Sequence, residues 1–325
     1  MLKHWKTRLC AFAAAIGLMA AQPVKAEEIS VTHWGVLMYG APYAVAMDKG
    51  FFKKAGIDIT GILTSKGGGT TMRNVLAGGL PYGEVALSAV LAAAREGVDV
   101  RIVNSGAQSV NEILWVTMPN SPIKGVQDLA GRKMSITSPK SVTDMVSIMV
   151  LEKSGIPLDK VERPALGGIG AGLTALESGA VDAAAIMDPI WAARKAKYRP
   201  VFFTKDILPP MTQTVGVTTA EFAKAHPDKL RAIIAGRRMG VDFIYANPKE
   251  AAQIFAREYN LKPDVAETAI RNMVEIKYWS LGGFDINGMN EFVRGLRIIG
   301  EVQGEVDWNK LLDRSFLPAD LRSGS

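Results

Sequence analysis

Short β-rich runs alternate with helix-compatible segments from residue 29 to about residue 203. Alternation of that kind confines the chain to an α/β fold, with parallel strands covered by helices on both faces. Residues 29–33, 57–63, 84–87 and 100–103 form a first series of predicted strands, and 133–137, 161–166 and 181–187 a second. Helices are expected over 142–154 and 169–178, with Gly155 and Gly179 where helices should stop. The two series echo one another. Leu76-Ala77-Gly78-Gly79 precedes the acid-led run Glu84-Val85-Ala86-Leu87, and Leu176-Glu177-Ser178-Gly179 precedes Asp182-Ala183-Ala184-Ala185-Ile186, which reads as one helix–turn–strand unit used once per lobe.

Beyond Val217 the pattern becomes almost continuously helical, over 220–225, 228–246, 248–259, 264–275 and 287–299. Pro227, Pro248 and Pro263 lie near helix starts, where proline is tolerated. Such a tail packs back across the first lobe, and the β-rich stretches 111–118 and 211–218 then become two connections between lobes. The expected organisation is lobe 1 over 27–112 and 218–325, and lobe 2 over 113–217.

Residues 1–26 combine a positive start (Lys3, Lys6, Arg8), an apolar run from Leu9 to Ala21 and a small-residue exit, Val24-Lys25-Ala26. This reads as an export signal cleaved after Ala26, and hence as a periplasmic or extracellular mature chain. The run is too short for a membrane anchor. The only cysteine, Cys10, falls inside this segment, so the mature chain is expected to have no disulfide, thiol nucleophile or thiolate metal site. The segment also carries four cations and no acid, so the formal charge of +6 drops to +2 on its removal, too weak a bias to suggest nucleic acid. The remaining residues exceed one ordinary core and favour two lobes.

Ser65-Lys66-Gly67-Gly68-Gly69-Thr70-Thr71 lies between a predicted strand and a helix, where backbone N–H groups form an anion nest at a positive helix start. Gly68 and Gly69 allow close approach, and Thr70 and Thr71 add hydroxyls; the alternative is a flexible turn with a threonine cap. Lys66 precedes the glycines, unlike a nucleotide-binding phosphate loop. Ser138-Pro139-Lys140-Ser141 holds the matching position in the second series, where Ser138 or Ser141 supplies either a ligand hydroxyl or a helix cap. Ser88 has the same two readings, and Asn111 is either a hinge-side donor or a turn residue. Trp34, Tyr39 and Trp191 follow strand ends, where open α/β sheets hold ligands; each is a cleft or a core aromatic. Asp188 orients a solute amine or, on the favoured reading, holds its own loop. Gly167-Gly168-Ile169-Gly170-Ala171-Gly172 falls short of a dinucleotide loop and is read as a close-packed helix start. His33 and His226 are too far apart in sequence to define a metal cluster or triad, and the run Arg194, Lys195, Lys197, Arg199 reads as a solvated helix end.

Several segments together resemble the solute-binding proteins of ABC importers, in the branch that takes up nitrate, taurine and aliphatic sulfonates. They are Trp34-Gly35 after the first strand; Gly50-Phe51-Phe52-Lys53-Lys54-Ala55-Gly56-Ile57; Gly67 to Thr71; Val126-Gln127-Asp128-Leu129-Ala130-Gly131-Arg132-Lys133; Leu176 to Asp182; Asp188-Pro189; and His226-Pro227. The resemblance implies a two-lobed periplasmic-binding-protein type II fold, two β crossings, a ligand between the lobes and delivery to an inner-membrane permease. The chain is expected to act as a monomer without a cofactor. Relatives that make thiamine-pyrimidine precursors use a cysteine-rich motif, which the mature chain lacks. A charge at a helix start contributes about 0.3–1 kcal/mol, and micromolar binding needs about 8. Burial of about 200 Å² of apolar ligand adds roughly 5 kcal/mol before association costs. The expected solute is therefore an organic carboxylate or sulfonate with an apolar body, not bare nitrate. The competing expectations are a metabolite-processing enzyme on the same fold and a periplasmic solute-sensing partner.

Overall fold

The computed structural model describes residues 27–77, 82–139 and 141–322. The expected export signal, Gly78, Gly79 and Lys140 lie outside the described residues. Nine strands are described: β1 (Glu27–Thr32), β2 (Ile59–Ser65), β3 (Gly83–Ala86), β4 (Val100–Ser105), β5 (Leu114–Thr117), β6 (Met134–Ser135), β7 (Ala183–Ile186), β8 (Arg199–Phe203) and β9 (Thr214–Thr219). They build two sheets, of order β2-β1-β3-β9-β4 and β6-β7-β5-β8.

The first sheet is parallel where the sequence is continuously buried. β1 pairs in parallel with β2 and with β3, and Ile29, Ser30 and Val31 have no exposed surface, the signature of a strand covered on both faces. β9 then inserts antiparallel between β3 and β4. In the second sheet β5 inserts antiparallel between β7 and β8. Each sheet is therefore completed by the strand that follows a crossing, and β9 lies wholly in the first.

Twelve helices matter here: α1 (Ala41–Asp48), α2 (Phe51–Ala55), α3 (Gly68–Leu76), α4 (Leu87–Arg95), α5 (Val142–Lys153), α6 (Ile169–Glu177), α7 (Ile190–Arg194), α8 (Ala220–Ala225), α9 (Pro227–Ala246), α10 (Pro248–Glu258), α11 (Pro263–Glu275) and α12 (Ile286–Ile298). The echo in the sequence is structural. α3–β3 and α6–β7 each pair a helix of 9 residues with a strand of 4, entered through extended glycines, Gly67 and Gly168. The helical tail packs on the first lobe as expected, α9 against α1 and α2, and α10 against α1; α11 and α12 additionally reach α7 and α5. Gly236 and Gly240 make this close packing possible, since a Cβ at either would fall 2.3 Å from Phe52 Cδ1 or 2.2 Å from the Pro42 carbonyl oxygen.

Two expectations need correction. Residues 161–166 form only isolated bridges, Lys133 to Glu162 and Ile136 to Ala165; Pro164 has no N–H to donate and breaks the ladder. The basic run Arg194 to Arg199 is not one helix end: its last residue opens β8, where Arg199 donates to the Ser121 carbonyl at 2.8 Å.

A buried ion pair anchors the first lobe. Glu84 on β3 is 0% exposed and Arg237 on α9 is 1% exposed, and Arg237 Nε meets Glu84 Oε2 at 2.9 Å. Tyr43 on α1 donates to the same oxygen at 2.6 Å, and Thr214 on β9 donates to Oε1 at 2.9 Å. Arg237 also donates to the Ser280 carbonyl at 2.9 Å. Thr214 Oγ1 in turn accepts the N–H of Ala107 at 2.6 Å, in the segment 106–113 that joins β4 to β5 and takes the place of the first crossing expected over 111–118. A second buried cluster links the crossings themselves. Gln213 donates to Glu112 at 2.7 Å and accepts from Tyr278 at 3.1 Å. Burial pushes the Glu112 carboxyl up to about 8.

Because removing one partner strands a buried charge, Arg237→Met is expected to cost about 3–5 kcal/mol in urea denaturation, and Glu84→Gln combined with Arg237→Met to cost less than Arg237→Met alone. Glu112 is protonated in the folded chain up to about pH 8 and ionised in the unfolded chain above about 4.5. Its contribution to stability is therefore complete below about pH 4.5 and declines as pH rises toward 8. Glu112→Gln should flatten that decline, read as the difference in urea midpoint between pH about 5 and pH about 9.

Candidate functional site

A cavity of about 550 Å³ is lined from the first sheet's side by α3, α4 and the turn after β1, and from the second sheet's side by residues 137–139 and 141–143, Ile169 and Met187. Four helices begin at it. α3 follows β2, α4 follows β3 without a loop, and α5 follows β6, so these N-termini stand at the carboxyl ends of strands, where α/β sheets place ligands. α6 enters from the loop that bridges to residues 133–136.

The first N–H groups of a helix lack intrahelical acceptors and carry its positive end. Here Ser141 Oγ satisfies one such donor on α5, accepting from Asp144 N at 3.2 Å. α3, α4 and α6 begin from Gly67, Ala86 and Gly168 with no side-chain cap. The amides of Thr70 and Thr71 both turn back to the Gly67 carbonyl, at 3.1 and 3.2 Å, leaving Gly68 and Gly69 N–H without an acceptor among the described residues. These are donors of the kind that bind anions.

Gly68 is required by packing: a Cβ would lie 2.7 Å from that of Ala89. Gly69 borders more open space, with Arg73 Nη1 3.8 Å from where its Cβ would be. The Arg73 guanidinium lies over the first turn of α3 and donates to Thr70 Oγ1 at 2.9 Å, so a cation stands beside these amides. Lys66 also lines the cavity. His33, in left-handed backbone (φ 55), is pushed down to about 4 by burial and is neutral at physiological pH. Leu37, Met72, Leu76, Ile113 and Val142 make much of the remaining wall apolar.

Of the residues singled out by sequence, Tyr39, Gly68, Gly69, Ser88, Ser138 and Ser141 line the cavity. Tyr39 stacks on Tyr278 at 6.4 Å and so joins the cavity to the Gln213–Glu112 cluster. Six others have different surroundings. Thr71 turns into the sheet, sharing 2.6 Å hydrogen bonds with Thr32 Oγ1 and Ser65 Oγ; it holds the loop and offers no free hydroxyl to a ligand. Thr70 is engaged by Arg73 at the rim. The left-handed turn at His33 and Gly35 carries Trp34 edge-on against Tyr259, 5.2 Å between ring centres. Asn111 donates its backbone N–H to Ser109 on the first crossing. Asp188 is buried, capping α7 through Ala192 N at 3.0 Å and accepting from Asn272 on α11 at 2.9 Å, the structural role favoured for it. Trp191 packs against Phe203 at 6.5 Å. Arg73, Met72, Ala92 and Ala93 were not singled out; their signal is helical phase, one or two turns beyond Gly69 and Ser88. No group of three or more potential metal ligands occurs among the described residues.

No helix of the described residues is long and apolar enough to cross a membrane. A binding protein of Brucella abortus (strain 2308) is 25% identical over 266 residues, covering 80% of this chain and 79% of its own. Among solved structures, the periplasmic aliphatic sulphonate binding protein SsuA from Escherichia coli is similar with TM-score 0.71 and 16% identity, over 87% of this chain and 96% of that one. The periplasmic nitrate-binding protein NrtA from Synechocystis PCC 6803 gives 0.69 and 15%, over 93% and 92%. The desulfurization enzyme DSZB shares the fold at 0.64 and 14%, over 89% and 97%. These likenesses establish a periplasmic-binding-protein fold with a helical C-terminal part. Residues 38–251 match the family described as NMT1/THI5 like, and the chain belongs to that family.

Proposed function

We propose that this chain is a periplasmic receptor for a small organic anion, a carboxylate or sulfonate with an apolar body, which it delivers to an ABC permease. The observation that carries this reading is the convergence of three uncapped helix starts and Arg73 on one largely apolar cavity between two sheets. The anionic head accepts from the Gly68 and Gly69 amides and from Arg73, Ser88 lies at the next helix start, and the body displaces water from Met72, Ile113 and Val142.

Residues 27–112 and 218–325 form one lobe and 113–217 the other, except that residues 214–217 go with the first, because β9 pairs there with β3 and β4. Closure adds the wall of Ser138 and Ser141 to contacts already made by the first lobe, and the solute stabilises the closed form by that differential contact. The protein acts as a monomer after loss of residues 1–26 and catalyses no reaction. The names of SsuA and NrtA, both anion-binding, support the class of ligand; DSZB marks the enzymatic alternative, which turnover of a bound solute by the purified chain would establish.

Calorimetric titration with benzoate, alkanesulfonates, nitrate and pyrimidines tests the assignment. Saturable binding of an organic anion is expected, and binding of none of these anions would overturn it. A charge-assisted hydrogen bond is worth about 1.5–3 kcal/mol, so Arg73→Gln should weaken binding by about ten- to a hundredfold while leaving the thermal midpoint of the free protein nearly unchanged. Gly69→Leu should weaken binding comparably by intruding on the head-group position, whereas Thr71→Ala should lower stability, since its hydroxyl ties α3 to β1 and β2.

A further inference from the structure

The cavity is longer than an anionic head requires. Counting from Gly68 on α3 and from Ser88 on α4, its lining positions recur on both helices at i, i+1, i+4, i+5 and i+8. Identical spacing on two neighbouring helices that both start at the anion end describes a straight furrow running between them. Eight residues of helix give it a length of about 12 Å. The helices touch where they begin, at Gly68 and Ala89. Beyond that point the walls are Met72, Arg73 and Leu76 on one side, Arg73 being turned toward Thr70 at the anion end, and Ala92 and Ala93 on the other, with Val98 near the far end. Leu76 is 41% exposed, one of few large apolar side chains so placed, and Glu96 ends the furrow at the carboxyl, electronegative ends of both helices.

Building on the anion assignment, we infer that the furrow between α3 and α4 holds the body of the solute and selects an unbranched, singly charged acid, with Ala92 limiting the chain that fits. The head lies at Gly68 and Gly69 and the chain lies along the alanines, which are small enough to admit a methylene chain. The furrow is continuous with the anion end, so one molecule occupies both. The potential falls from the helix starts toward Glu96, which orients an acid head-first and opposes a second carboxylate at the tail.

Titration of the purified chain with straight-chain carboxylates from acetate to decanoate tests this. Each methylene that enters the furrow should tighten binding about fourfold, with a plateau once the chain outruns Leu76. 2-Ethylhexanoate and octanedioate should each bind at least about tenfold more weakly than octanoate. In Ala92→Phe the ratio of octanoate to butanoate affinity should collapse toward one, and Leu76→Ser should reduce the gain only for the longest acids. A flat dependence on chain length, or equal binding of the branched isomer, would overturn the inference while leaving an anion receptor in place. Failure of every acid to bind, benzoate and the sulfonates included, would instead remove the anion reading itself. The series on the unmodified chain decides the matter even if a variant does not fold.

Discussion

The structure depends first on the carboxylate of Glu84. It is fully buried on the central part of the first sheet, and burial of an unpaired carboxylate is too costly for a folded chain to sustain. Arg237 supplies the countercharge from α9, more than a hundred and fifty residues later, while Tyr43 and Thr214 occupy its remaining acceptor positions. Four elements distant in sequence, α1, β3, β9 and α9, are thereby held to one point. Both crossings pass beside it, through Ala107 and Thr214. A Cβ on Gly106 would lie 2.5 Å from Glu84 Oε1, so the first crossing can run this close only as glycine. The start of the segment that joins the two sheets is therefore fixed against Glu84.

The cavity follows from the same scaffold. Strands that end at a common edge deliver helix starts to a common place, and glycine or alanine before three of those starts leaves them without a side-chain cap. Arg73 adds the full charge that helix ends lack. The hydroxyl cluster of Thr32, Ser65 and Thr71 keeps the glycine loop in register with β1 and β2 from the sheet side, and Thr32 itself reaches the cavity wall.

Much of this was legible in the sequence. Hydrophobic runs located most of the strands, prolines and glycines placed most helix ends, and the repeat of helix, turn and strand identified two related halves. What periodicity does not report is the direction of an individual side chain. Gly69 and Thr71 are two residues apart on one helix and have opposite fates, one at the cavity and the other in the sheet. Trp34 and Trp191 pack on the chain because the apolar face of an aromatic looks the same in a sequence whether a ligand or a neighbouring ring covers it. Pro164 ended a strand that its β-branched and apolar neighbours suggested, and the charges before Arg199 masked the start of β8. Arg73 carries no signal of its own in the sequence, because the glycine loop it folds back to lies one turn away and not beside it.

The insertion of β9 between β3 and β4 has a bearing on biogenesis. A polypeptide emerging from its N-terminus has made both neighbours, and the whole second sheet, before residues 214–219 appear. Until then two inner ladders stand open, each a template for the wrong pairing, and Glu84 has no countercharge until α9 follows. The nascent first half must therefore wait, unfinished and in need of protection, for the last third of its own chain.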